Sequence, residues 1–158
     1  MAEDEETKNF AVTLLKENAA VGVISGGAFQ EFEDLVTHIK PGARILKARI
    51  PYTPGRKDRL LAGAIMQLLG MPFLDRGVST DRAWDAIAGV TKDQYDMMVI
   101  ENADLLDRRS LDFANRISLP LVVLVGGDRL KALIGEKKWF HKQGMFHGGD
   151  TFTIGSVK

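Results

Sequence analysis

Apolar residues near the start of the chain recur at helical spacing: Phe10, Ala11, Leu14 and Leu15 share one face and predict an amphipathic helix over about residues 4–19. The pattern then changes. AVGVIS, residues 20–25, is a short apolar run that reads as a buried strand ending at Gly26 and Gly27. Helical spacing returns over residues 29–39 and stops at Lys40-Pro41-Gly42, since proline removes a donor and glycine tolerates the conformation that ends a helix. ARILKARIP, residues 43–51, alternates around Ile45, Leu46 and Ile50 and suggests a second strand, followed by the turn YTPG. The strongest helical signal covers residues 56–69, where Leu60, Leu61, Ala64, Ile65, Leu68 and Leu69 form one continuous stripe. Gly70 and Pro72 end it. Ser79 is placed to cap a further helix that presents Ala83, Trp84, Ile87 and Val90. The apolar residues 97–100 have the composition of a strand buried on both faces, Asp107 can cap a helix reaching about residue 117, and LPLVVLVGG at 119–127 is another buried strand. Residues 151–154 fit either a last short strand or a frayed end. Strands alternating with helices predict an α/β fold, a three-layer sandwich whose mainly parallel sheet carries helices on both faces.

Length adds that 158 residues suit one domain, divided here into an N-terminal helix (1–19), a core (20–142) and a tail (143–158). No run approaches the roughly 18 apolar residues of a membrane span, so no membrane role is expected. The opening MAEDEETKNF is acidic where an export signal would be basic and then apolar. The absence of cysteine excludes disulfides and thiolate metal sites, and the expected location is cytoplasmic. The zero formal net charge conceals an asymmetry: residues 1–34 carry a net −6 and the remainder +6. Seven basic residues and one acid, Asp58, lie between Lys40 and Arg59, and a second basic cluster runs from Arg129 to Lys142. Solvated surface is the simpler use of such runs. The functional use is contact with phosphate backbones, with Arg56, Lys57, Arg59, Lys137, Lys138 and Lys142 as candidate nucleic-acid contacts.

Three stretches carry a resemblance: ARIPYTPGRKDRLLAGAIMQLLGMP from Ala48, MMVIENADLL from Met97 and LVVLVGGDRL from Leu121. Their order and spacing over about residues 20–142 resemble the AAA+ branch of the P-loop ATPases, and within it the ATPase regulators of bacterial DNA transposition and related secretion ATPases. The resemblance implies a P-loop NTPase core without the helical lid that usually follows, and partners such as DNA, further copies of the chain or a second ATPase.

The chemistry of that family is then tested residue by residue. A phosphate-binding loop G-x-x-x-x-G-K-[ST] needs backbone N–H groups at a helix start, a lysine and a magnesium-binding hydroxyl. With Gly26 as the first glycine, Glu31 takes the place of the second glycine, Phe32 that of the lysine and Glu33 that of the hydroxyl, so two carboxylates are expected to face a triphosphate. Like charges about 4 Å apart cost roughly 4 kcal/mol at an effective dielectric near 20. Starting from Gly22 instead, Gly27 fits the second glycine but Ala28 and Phe29 replace lysine and hydroxyl. The Asp-Glu pair that closes the family's second strand motif is here Glu101-Asn102, and an amide cannot act as a general base. Gly27 and Gly26 are read most simply as permitting a tight turn, and Gly127 stands where the family carries a polar sensor.

Other constellations are weaker. His38, His141 and His147 are too scattered for a metal site, Trp139 and Phe140 among lysines suit packing more than base stacking, and no nucleophile elbow is present. The leading expectation is therefore a pseudo-ATPase, a binding or regulatory module with no catalytic residue, no metal and no cofactor, ATP with magnesium being disfavoured. The alternatives are an atypical ATP-binding protein or ATPase using Gly26, Gly27 and Glu101, and a small-ligand-binding α/β protein.

Overall fold

The computed structural model describes residues 2–17, 21–71, 79–111, 120–135, 142–149 and 151–154. In chain order these form α1 (Ala2–Glu17), β1 (Val21–Ser25), a 3₁₀ turn (Gly26–Ala28), α2 (Phe29–Ile39), β2 (Ile45–Arg49), α3 (Lys57–Leu68), α4 (Thr80–Gln94), β3 (Met97–Glu101), a second 3₁₀ turn (Ala103–Leu105), α5 (Arg108–Leu111), β4 (Leu121–Gly126), α6 (Asp128–Gly135), β5 (Lys142–Phe146) and β6 (Thr151–Ile154). One sheet takes them in the order β2-β3-β4-β1-β5-β6. The first five are mutually parallel, and β6 runs antiparallel to β5. The expected α/β fold with a mainly parallel sheet is what is found, and residues 151–154 form a strand. The first helix begins about two residues earlier than its apolar pattern suggested, and its expected last residues, 18 and 19, lie outside the described residues.

Alternation along the central strands decides where each helix goes. Val21 and Val23 of β1, Met98 and Ile100 of β3, and Val122 and Leu124 of β4 face one core with Leu61, Ile65, Trp84, Ile87, Leu111 and Leu130, contributed by α3, α4, α5 and α6. Their neighbours Ile24, Met97, Val99, Val123 and Val125 face the other, with Phe10 and Leu14 of α1 and Phe29, Phe32 and Val36 of α2. Strands with apolar side chains on both faces require this double cover, which is the physical content of their unbroken hydrophobic runs. α1 approaches β1 at Gly22, where an added Cβ would stand 3.0 Å from Leu14 Cδ1 and 3.2 Å from Phe10 Cζ.

Two local caps behave as their sequences suggest. Ser79 Oγ accepts from the Arg82 N–H at 3.2 Å, and Asp107 Oδ1 accepts from the Ser110 N–H at 2.8 Å. The helix expected to run from Asp107 to about residue 117 is described only as α5, its remainder lying outside the described residues. α6 and β5 were not expected. The basic edge of the sheet is tied by Asp96, which accepts from the Arg44 N–H at 2.9 Å and pairs with Lys40 and Arg44. Those contacts hold the Asp96 carboxyl at about 2, the Arg44 backbone and side-chain hydrogen bonds being the largest cause.

Candidate functional site

The C-terminal ends of β1, β3 and β4 open on a cavity of about 420 Å³ between Gly26, Arg49, Glu101, Asn102, Asp104 and Gly127. This is where open α/β sheets place ligands. The fold thus gathers four sequence-stated site positions, Gly26, Glu101, Asn102 and Gly127, and adds Arg49 and Asp104.

The connection from β1 to α2 decides what the cavity offers. Only the turn Gly26–Ala28 separates the two elements, so residues 31–33 lie within the opening turns of α2 rather than on a loop. Phe32 is 1% exposed in the core, with its ring centroid 5.5 Å from that of Phe10 and 6.4 Å from that of Phe29. It neither stands at a phosphate nor plugs the cavity. The expectation that Glu33 faces a triphosphate is corrected: its carboxylate pairs with Lys47 Nζ of β2 at 3.0 Å. Glu31 sits in the first turn of α2, where a negative charge favours the helix dipole. The tight strand-to-helix turn expected at Gly26 and Gly27 is present as the 3₁₀ turn Gly26–Ala28, although its geometry does not require glycine. Neither has a positive φ, and an added Cβ at either would meet nothing within 4 Å. Both are exposed, so the cavity wall there is bare backbone.

Glu101 is the last residue of β3, half-buried, and among the described residues its carboxylate has no ion pair or hydrogen bond. Asn102 follows at φ 61°, ψ 34°, the left-handed region that asparagine tolerates better than most side chains. Its Nδ2 donates to the Ile50 carbonyl at 3.4 Å, and the Ile50 N–H donates to the Glu101 carbonyl at 3.2 Å. The residue that replaces a general base therefore turns the chain and stitches β3 to the end of β2. Asp104 accepts from the Gly127 N–H at 3.0 Å and the Leu130 N–H at 2.9 Å, so a carboxylate of the protein occupies the N-terminus of α6. Gly126 makes room for that cap: an added Cβ would lie 2.9 Å from Leu130 Cδ2 and 3.1 Å from Asp104 Oδ1.

The basic residues disperse. Lys40 and Arg44 are committed to Asp96, Lys47 to Glu33, and Lys57 Nζ donates to the Thr53 carbonyl at 3.1 Å. Arg56 donates to both carboxylate oxygens of Asp58, at 3.3 and 2.8 Å, and this hydrogen bonding raises its pKa above the usual value. Arg56 and Arg59 line a second cavity, beside the first, in which Arg49 also takes part. Lys137 and Lys138 lie outside the described residues, and Lys142 opens β5. His147 bridges α1 and β5, its Nε2 3.0 Å from Thr7 Oγ1 and its ring edge-on to Phe10. Among the described residues no group of three His, Asp or Glu is gathered as a metal site, and no helix is long and apolar enough to cross a membrane.

No family model matches the sequence, and no curated protein matches it. Solved structures do. The fold is similar to Cdc6p from Pyrobaculum aerophilum, at 16% identity and a TM-score of 0.58 over 87% of this chain and 40% of that one. It is similar to the ORC2 protein of Aeropyrum pernix, whose structure holds ADPNP and ADP, at 14% identity and a TM-score of 0.56 over 87% of this chain and 43% of that one. It is similar as well to a chain of the Drosophila ORC structure with AT-rich DNA and Cdc6, at 15% identity and a TM-score of 0.55 over 84% of this chain and 50% of that one. The chain spans about half or less of each of these structures' own length. At these identities the likeness concerns the fold alone, a mainly parallel α/β core shared with those structures.

Proposed function

We propose that this chain is a cytoplasmic pseudo-ATPase, a catalytically silent binding module on an AAA+-type core that works through its surfaces. The observation that carries this reading is the start of α2 three residues after β1, with Phe32 in the core and Glu33 bound to Lys47. A triphosphate with magnesium needs a loop of N–H donors, a lysine and a hydroxyl at that place. The residues present do not fit it. Asp104 already fills the N-terminus of α6, and Asn102 holds Ile50 instead of a water. Partners in this reading are nucleic acid and an ATPase protein or a second copy. The finer placement among regulators of bacterial DNA transposition rests on the motif order read from the sequence.

The test is calorimetric titration of the intact chain with Mg-ATP, followed by phosphate release. Binding weaker than about 100 μM, a free energy smaller than about 5.5 kcal/mol, and no release above background are expected. Tight Mg-ATP binding that Glu101→Ala abolishes would instead favour an atypical ATPase.

One observation favours a second reading, a small-ligand site in the same cavity. Gly26 and Gly27 are exposed, with open space among the described residues where a Cβ would stand, beside a Glu101 carboxylate without a partner among those residues. A neutral or cationic ligand suits that combination. Stabilisation of the chain by such a compound, lost in Glu101→Gln, is the result this reading requires.

A further inference from the structure

Arg49 ends β2 and Glu101 ends β3, and the two are partners in register on adjacent parallel strands. Ile45, Met97 and Val99 of the same strands lie on the α2 face of the sheet, so alternation by two residues puts Arg49 and Glu101 on that face as well. Both line the cavity of about 420 Å³ that crosses the strand ends as far as Gly26, a size usual for small-molecule sites. Neighbouring strands lie about 4.8 Å apart, which brings two such side chains within reach, and opposite charges so placed usually pair. These do not. Among the described residues neither Arg49 nor Glu101 makes an ion pair or a side-chain hydrogen bond. The third charge on the cavity, Asp104, is committed to the Gly127 and Leu130 N–H groups. Farther along, Phe29 and Val125 of the core give the wall apolar surface, and Gly127 leaves room beside them.

A cation and an anion side by side, each without a partner among the described residues, match a ligand that carries both charges on neighbouring atoms. Arg49 is exposed and Glu101 half-buried, and a direct pair in such a place contributes little, so a ligand displaces no strong contact. A carboxylate can meet the guanidinium fork with two oxygens while an ammonium donates to Glu101, both as charge-assisted hydrogen bonds. We propose that this cavity binds an α-amino acid with an apolar side chain as its zwitterion, the carboxylate at Arg49, the ammonium at Glu101 and the side chain over Gly127 towards Phe29 and Val125. The proposal rests on the small-ligand reading of this cavity and narrows the ligand from a neutral or cationic compound to one bearing both charges.

The experiment is calorimetric titration of the intact chain with L-phenylalanine and L-leucine, beside phenethylamine, which lacks the carboxylate, and 3-phenylpropanoate, which lacks the ammonium. The better amino acid should bind at least about ten times more tightly than either single-charge probe. Arg49→Ala should weaken the amino acid about tenfold and leave phenethylamine unchanged, whereas Glu101→Gln should weaken it about tenfold and leave 3-phenylpropanoate unchanged. A merely structural role would move all the probes together. Arg49→Lys should recover only part of the loss. Thermal unfolding of each variant separates lost binding from lost fold. Phenethylamine bound as tightly as the amino acids, with dependence on Glu101 and none on Arg49, overturns the zwitterion and leaves the small-ligand reading standing. No binding of either amino acid at millimolar concentration overturns the proposal, and silence of all four probes counts against the small-ligand reading as well.

Discussion

At Asn102, Gly126 and Asp104, residue type answers to geometry that neighbours in sequence do not reveal. The polar residue after Glu101 invites comparison with a catalytic acid, but its positive φ gives a conformational reason for asparagine. Gly126 is likewise a packing requirement, set by Leu130 and Asp104. Gly126→Ala should cost about 1–3 kcal/mol in urea unfolding, since the displaced Leu130 is fully buried. Asp104→Ala should cost about 1–2 kcal/mol through the lost cap of α6, and Asp104→Asn less, because asparagine also caps. Combined, Gly126→Ala and Asp104→Ala should cost less than their sum, because removing the carboxylate relieves one of the close contacts. Additive losses would show that Asp104 and Gly126 act independently.

Among the elements, α2 shows how far a hydrophobic pattern reaches. Its limits were evident from apolar spacing and the Lys40-Pro41-Gly42 stop, and Phe29, Phe32 and Val36 bury the face that the spacing marks. Reading the same residues as a loop motif conflicted with that periodicity, and the core prevailed, since burying a Phe side chain is worth roughly 1.5–3 kcal/mol. The turn before β2 and the end of α4 are joined by Asp96, whose carboxyl is held at about 2 against an ordinary 3.8. A depressed folded-state value stabilises the fold above about pH 4 and loses that contribution as pH falls from there towards 2. Its size is on the order of 1–2 kcal/mol, discounted because the side chain keeps some exposure. Asp96→Asn should lower stability at pH 7 by that amount and flatten the acid limb of an unfolding series between pH 4 and 2. An unchanged limb would assign the acid sensitivity to other carboxylates.

For the whole molecule, charge counted along the sequence overstated the free cationic surface. Lys40, Arg44, Lys47 and Arg56 are drawn to Asp96, Glu33 and Asp58, acids far away in sequence in all but the last case. Of the basic residues between Lys40 and Arg59, Arg49 is left at the edge strand of the sheet without an ion pair among the described residues. A retardation series with duplex or single-stranded DNA should therefore show a shallow salt dependence, of about two to three phosphate contacts, which Arg49→Ala reduces by roughly one. A slope of six or more would require the basic cluster from Arg129 to Lys142 to contribute strongly.

The hydrophobic pattern by itself determined that β1, β3 and β4 are buried on both faces and alternate with helices, because the spacing of apolar side chains fixes which faces of an element must leave water, and that spacing is written in the chain. It also exposed the lack of a lysine and hydroxyl behind Gly26. Only the tertiary structure decided the strand order and the cavity where Gly26, Arg49, Glu101 and Gly127 meet. Those depend on contacts between residues 23 to more than 100 positions apart, such as Asp104 with Gly127 and Val21 with Val122, which no local pattern encodes. α6 and β5 escaped notice for the same reason: short elements are recognisable chiefly by what they pack against.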